Sequence, residues 1–247
     1  RLARPLGVQL YTLRRLMATD PAGTLAQVAR VGYQEVELHS LYGRSATEFK
    51  SLLDANKLTA PATHAGANAL RSNLQWAFDD AKTLGHKWII VPSLDGNDRS
   101  LDAFKRLADF LNEAGAKAKP LGIRMGYHNH EYEFKSENGR NGLDVLLECT
   151  DPTLVDFELD LFWIRRGAAD ALAYFEKFPG RFAAVHAKDM SADGMMVNVG
   201  EGVMDFAKLF VAGAKAGVKH YFVEHDNPVD PIKDITISYS AMRGLLP

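Results

Sequence analysis

Short β-branched or aromatic runs alternate with longer amphipathic stretches eight times along the chain, and this alternation limits the fold more tightly than any other feature. The runs are Leu6–Thr12, Gln34–His39, Thr59–Ala65, Lys87–Leu94, Gly122–His130, Leu154–Phe162, Arg181–Asp189 and His220–Asp226. Apolar spacing predicts helices near Pro21–Val31, Thr47–Asn56, Ala69–Leu84, Leu101–Lys117, Gly142–Cys149, Ala168–Phe178, Asp205–Ala216 and Pro231–Arg243. Asp20-Pro21 reads as a cap followed by proline at the first helical position, and Ser45 to Glu48 as a capping box. Eight such units in 247 residues match an α/β fold of the (β/α)8 barrel kind. The competitor is an open doubly wound sheet, but no Gly-x-Gly-x-x-Gly turn follows the first strand. No linker or composition break divides the chain, so residues 1–247 are expected to form a single domain.

Strand alternation then says which side chains face the barrel axis. In Leu154–Asp160 the apolar face of Val155, Phe157 and Leu159 belongs against the helices, which turns Asp156, Glu158 and Asp160 inward. The same phase points His186 and Lys188, Glu224, Glu35 and Glu37, and His64 toward the axis. In the fifth run Ile123, Met125 and Tyr127 look outward, leaving Arg124, Gly126, His128 and His130 inside. Barrel cores are ordinarily layers of Val, Ile and Leu. Ionisable groups there are costly unless paired or bound to metal, so the pattern predicts a charged site at the C-terminal mouth.

Asp160, His186 and Glu224 end consecutive strands; they suit a hard or borderline divalent ion, or else a buried network with Arg124 and Lys188. His128 is available as ligand, general base or sugar-hydroxyl acceptor, while His130 and Glu131 read as loop residues. Lys188 can polarise a carbonyl or pair with Glu158 or Asp160. His64 can bind substrate or sit satisfied in the core, and Trp163 can stack on a sugar or pack within a loop. For Glu35 a salt bridge to Arg124 is expected, and Gly200-Glu-Gly202 reads as a turn rather than a phosphate cradle. A net charge of −2 gives no global field for nucleic acid or an anionic membrane. No stretch reaches the ~18 apolar residues of a membrane span, and the single Cys149 excludes multi-cysteine zinc patterns.

Gly7-Val-Gln-Leu-Tyr-Thr-Leu13, Val31 to Glu37, Tyr127-His-Asn-His-Glu-Tyr-Glu-Phe134, Glu158 to Trp163, Val185-His-Ala-Lys-Asp189, Asn198 to Gly202 and Val223 to Asp226 together resemble the xylose isomerase-like barrel superfamily. The resemblance is to its sugar phosphate isomerases/epimerases, in the branch with a His-Asn-His motif, and covers nearly the whole chain. It implies one divalent ion (Mn2+, Mg2+, Co2+ or Zn2+) held by four side chains, of which Asp160, His186 and Glu224 match three. The first ligand departs: Gly126 stands where tagatose- and psicose-type epimerases have glutamate. Glu133 is the first choice to replace it and His128 the second. His128 is otherwise the expected general base, with Lys188 as electrophilic support and His64, Trp163 and Glu37 as substrate contacts. An arginine that touches substrate in the epimerases is missing, and Lys188 is expected to take part of its role. Endonuclease IV shares the fold, but its larger ligand set and DNA-gripping basic face are not evident.

The implied chemistry is removal of a C–H proton beside a metal-polarised carbonyl. A sugar isomerase or epimerase is the first expectation. A 3-keto-glycoside lyase or hydrolase, a dehydratase, and a non-catalytic sugar-binding barrel are the alternatives. Asp226 and Asp230 follow the eighth strand, where barrels often hold phosphate, so an unphosphorylated sugar or polyol is expected. The expected partner is that small molecule, with no nucleic acid or membrane and with a homodimer left open. The start Arg1-Leu-Ala-Arg-Pro5, without methionine, fits a processed or trimmed terminus, which leaves cytoplasm and periplasm both open.

Overall fold

The computed structural model describes residues 4–246; Arg1, Leu2 and Ala3, which enter the reading of the chain start, lie outside the described residues, as does Pro247. The strands are β1 (Leu6–Gln9), β2 (Glu35–Leu38), β3 (Thr59–His64), β4 (Trp88–Val91), β5 (Arg124–His128), β6 (Val155–Asp160), β7 (Phe182–Ala187), β8 (Asp189–Met190), β9 (Met196–Val197) and β10 (His220–Val223). Eight of them close a parallel barrel in the order β1-β10-β7-β6-β5-β4-β3-β2, while β8 and β9 form a separate antiparallel hairpin. Each barrel strand falls inside a run read from the sequence. Around it lie α1 (Arg14–Thr19), α2 (Pro21–Val31), α3 (Ala46–Ala55), α4 (Ala67–Ser72), α5 (Leu74–Leu84), α6 (Leu101–Ala118), α7 (Gly142–Cys149), α8 (Leu161–Arg166), α9 (Ala171–Lys177), α10 (Phe206–Lys215) and α11 (Pro231–Met242). Among the described residues no helix is long and apolar enough to cross a membrane.

Local chemistry sets the helix ends. Asp20 accepts from Gly23 N at 2.9 Å with Pro21 opening α2, and Ser45 and Glu48 exchange both bonds of a capping box before α3. The helix expected over Ala69–Leu84 is two helices, because Asn73 leaves helical geometry and its side chain caps Trp76 N at 3.1 Å. The outward strand residues Val8, Val36, Ile89, Met125, Val155, Leu159, Val185 and Tyr221 are buried under these helices. Each such side chain contributes about 1.5–3 kcal/mol on burial.

Along the axis the interior is layered. At the N-terminal end Glu35 Oε2 meets His220 Nδ1 at 2.8 Å, and Asp156 binds Arg124 and, at 2.7 Å, Trp88 Nε1. The Glu35–Arg124 bridge expected from sequence is therefore replaced: β2 lies one strand from β10 across β1, whereas Arg124 on β5 reaches Asp156 on adjacent β6. Above this floor sits an apolar disc of Ala62, Ile90, Ala184 and Phe222. Gly7 and Gly126 make room for it. A Cβ on Gly7 would stand 2.4 Å from the Phe222 ring, and one on Gly126 would stand 2.9 Å from Ile90 Cγ1. Because Phe222 is wholly buried and cannot step aside, Gly7→Ala is expected to cost about 1–3 kcal/mol by overpacking. The check is a lower urea midpoint at unchanged m-value.

Candidate metal centre

Above the disc the lining turns polar, and two groups of side chains share His186. The lower group is Glu37, His64 and Glu158. His186 Nε2 lies 2.6 Å from Glu37 Oε2 and 3.0 Å from Glu158 Oε2, and Gln9 Nε2 donates to the same Glu37 oxygen at 2.7 Å. The upper group is His128, Asp160 and Glu224, at the strand ends. His128 Nε2 is 3.2 Å from Asp160 Oδ2; His186 Nδ1 is 2.8 Å from Glu224 Oε2 and 3.8 Å from Asp160 Oδ2. Lys188 Nζ reaches Asp160 at 2.9 Å and Glu224 and Asp226 at 2.8 Å each.

Protons decide what this geometry can hold. His128 Nδ1 faces the Pro92 carbonyl at 3.1 Å; a carbonyl only accepts, so Nδ1 carries the hydrogen and Nε2 turns a lone pair toward Asp160. In His186 the carboxylate oxygens beneath hold the hydrogen on Nε2, leaving Nδ1 without a hydrogen-bond partner and turned to Glu224. Two imidazole lone pairs thus face carboxylate oxygens across a fully buried space. Such an arrangement is repulsive unless a proton or a metal ion lies between, and a donor set of two imidazoles and two carboxylates fits a borderline divalent ion. His186 is also tied from behind by a carboxylate, as metal-ligating histidines commonly are.

The charges point the same way. Burial alone would raise the Asp160 carboxyl, but the Lys188 ammonium and the other groups around it together outweigh burial and bring the carboxyl to about 2. Glu224 is likewise held well below the ordinary range, the raising effect of burial being overcome chiefly by the Lys188 ammonium. Lys188 loses basicity to burial but regains more from Asp160, Glu224 and Asp226, so it stays an ammonium. Burial, then the Glu158 charge, raises Glu37, whereas burial brings His130 down to about 3 and keeps that ring neutral.

A cavity of about 350 Å3 opens over these groups, within the range of small-molecule sites. Tyr11, His64, His128, His130, Lys188, Glu224 and Asp226 line it. Of the residues singled out from sequence, the structure brings His128, Asp160, His186, Lys188 and Glu224 together, with His64 beside them. Glu133 is held elsewhere. The turn Tyr132–Phe134 brings its Oε1 onto the Tyr127 hydroxyl at 2.7 Å and its Oε2 onto His130 N at 2.9 Å. His128, rather than Glu133, stands close to Asp160, His186 and Glu224, and Gly126 lies lower, against the apolar disc. Glu37 is wholly buried beneath His186. Trp163 stands on α8, not in a loop, with the Lys188 ammonium 5.6 Å from its ring centre. Sequence reasoning did not place Asp226 beside Lys188, although its spacing from Glu224 put both on one face.

The family described as xylose isomerase-like TIM barrel matches residues 25–237. The inosose dehydratase of Geobacillus kaustophilus (strain HTA426) is 23% identical over 231 residues, covering 75% of this chain and 73% of that protein. That of Lacticaseibacillus casei is 25% identical over 157 residues, 56% of this chain and 52% of its own length. The chain thus spans about half the length of the second relative. Among solved structures, a sugar phosphate isomerase/epimerase from Parabacteroides distasonis ATCC 8503 superposes with a TM-score of 0.85 at 24% identity, covering 98% of this chain and 94% of that one. An IOLI protein with a bound zinc atom superposes at 0.78 with 15% identity, covering 98% of each chain. With a closed eightfold parallel barrel and a match over most of its length, the chain belongs to the xylose isomerase-like TIM barrel family.

Proposed function

We propose that the protein is a divalent-metal-dependent enzyme that removes a proton beside the carbonyl of an unphosphorylated keto-sugar or inosose. Loss of water is the first outcome to test, and isomerisation or epimerisation the second. The carrying observation is the pair of imidazole lone pairs, His128 Nε2 and His186 Nδ1, facing Asp160 and Glu224 across the buried mouth. Dehydration is placed first because the curated relatives are inosose dehydratases.

In this reading His128, Asp160, His186 and Glu224 would hold the ion. A bound divalent cation supplies Lewis-acid polarisation of the substrate carbonyl. Lys188, fixed between three carboxylates and facing the cavity, directs a permanent positive charge at the oxygen where negative charge develops. Asp226 binds Lys188 through Oδ1 and lines the cavity, which suits it to accept a substrate hydroxyl. The lining offers a phosphate little: its lysine is already matched by carboxylates, and Arg14 and Arg15 donate to the Asp226 and Pro228 carbonyls. That balance favours neutral polyols.

The test is metal analysis of protein purified without chelator, followed by a turnover screen. The substrates are inososes, 3-keto-glucosides, and free and phosphorylated ketoses. One divalent ion per chain, loss of turnover with EDTA and recovery with Mn2+, Co2+, Mg2+ or Zn2+ are expected, with free sugars preferred in kcat/KM. Absence of both bound ion and metal activation overturns the reading. Preference for phosphorylated substrates overturns its substrate half.

A further inference from the structure

We propose that His64, held at one ring nitrogen by buried Glu158 and open to the cavity at the other, is the base that takes the substrate proton. This rests on the reading of the site as one that deprotonates carbon. His64 ends β3, with Nε2 2.8 Å from Glu158 Oε2 and 3.4 Å from Glu37 Oε2. Carboxylate oxygens accept, so the ring hydrogen sits on Nε2 and Nδ1 keeps its lone pair. Among the described residues Nδ1 has no hydrogen-bond partner, yet it is not one of the sealed, unsatisfied polar atoms, and His64 lines the cavity. Its ring stacks on His186 with centroids 5.4 Å apart, which sets it beside the carboxylates and imidazoles of the mouth.

The other basic groups of the cavity are worse placed. His128 has both nitrogens engaged, one by Pro92 O and one toward Asp160. Lys188 is bound to three carboxylates as an ammonium. His130 lies between Tyr132 and Trp163 and, among the described residues, forms no ion pair with a carboxylate, so none stands behind it to stabilise an imidazolium. His64 alone combines an open nitrogen with a carboxylate at its back, the arrangement that orients a histidine base and stabilises its charged form.

The step balances without a co-reactant. The C–H bond beside the carbonyl breaks, its electron pair moves into the adjoining C–C bond, and the carbonyl oxygen takes the negative charge. The proton forms an N–H bond at Nδ1. In a dehydration the pair then expels the β-hydroxyl, which leaves as water with the proton returned from Nδ1. In an isomerisation the proton returns to carbon.

His64→Gln keeps a donor near Glu158 and deletes the base. With an inosose, a 3-keto-glucoside and free psicose as probes in D2O, wild-type protein is expected to exchange the C–H beside the carbonyl. The variant is expected to exchange about 1,000-fold more slowly, with metal content unchanged and KM within about threefold. His64→Gly should regain exchange with added imidazole. In Zn2+-loaded wild-type protein, 15N spectra should show His64 neutral with hydrogen on Nε2. Full exchange in the Gln variant, loss of its metal, or an Nδ1-protonated His64 overturns the assignment. Absence of exchange in the wild type with every probe overturns the deprotonation reading itself, and the base with it.

Discussion

Asp160→Asn is expected to abolish metal retention and lower turnover about 1,000-fold, equivalent to about 4 kcal/mol of transition-state stabilisation, while the barrel stays folded. The two carboxylate oxygens have separate tasks. Oδ1 caps α8, accepting from Phe162 N at 3.0 Å and Trp163 N at 2.9 Å, and an asparagine oxygen performs this equally well. Oδ2 faces His128 and Lys188, and there the amide NH2 would point donors at a lone pair and an ammonium. Metal analysis and turnover should therefore collapse together, with the circular dichroism spectrum unchanged. A variant that keeps both its ion and its turnover removes Asp160 from the proposed ligands. Loss of both, on any keto-sugar the wild type turns over, removes the non-catalytic barrel as an alternative.

Asp189→Ala is expected to lower stability by about 3 kcal/mol, because backbone N–H groups would be left without partners in a closed turn. Its Oδ2 accepts from Gly200 N and Gly202 N at 3.0 Å each, and its Oδ1 from Met190 N at 2.8 Å and Met204 N at 3.2 Å. The loop cannot close on anything larger, since a Cβ on Gly202 would lie 2.3 Å from Asp189 Oδ1. For a chain of this length the loss corresponds to a fall in melting temperature of about 6–12 °C. Asp189→Asn, keeping one acceptor oxygen, should fall between. An alanine variant melting within about 2 °C of wild type refutes the anchoring role.

These two residues also show where sequence reading succeeds and stops. Asp160 is legible because period-two alternation in β6 is strict: three apolar residues fix the face of the three acids between them. The same holds for His128, His186, Lys188 and Glu224, all at strand ends. Alternation gives direction but not height, so it does not show that Gly126 lies at the level of the apolar disc or that Glu37 lies beneath His186. Beyond the strand ends the pattern has no hold. Motif order favours Glu133 as a ligand, but the turn at Tyr132–Phe134 carries it to the Tyr127 hydroxyl, and Tyr127 points away from the barrel axis. Gly200-Glu-Gly202 is legible as a turn, but its occupant, the chain's own Asp189, is fixed by a long-range contact that spacing does not encode.

Partner choice across the barrel is illegible for a related reason. Glu35 and Arg124 are both inward and oppositely charged, and their pairing is natural on paper. Closure order and strand stagger give each a nearer partner, His220 and Asp156. Composition carries no information about that stagger.

The disc of Ala62, Ile90, Ala184 and Phe222 makes the mouth a blind alley. Two ionisable networks, one at the floor and one at the mouth, are kept apart by a layer with no group able to pass a hydrogen ion along. In the proposed reaction a proton taken from a substrate would not leave through the floor, because the disc carries no acid or base. Retention of label in product would then depend on how long the mouth stays covered during turnover, and the floor is free to change its charges without disturbing the groups above.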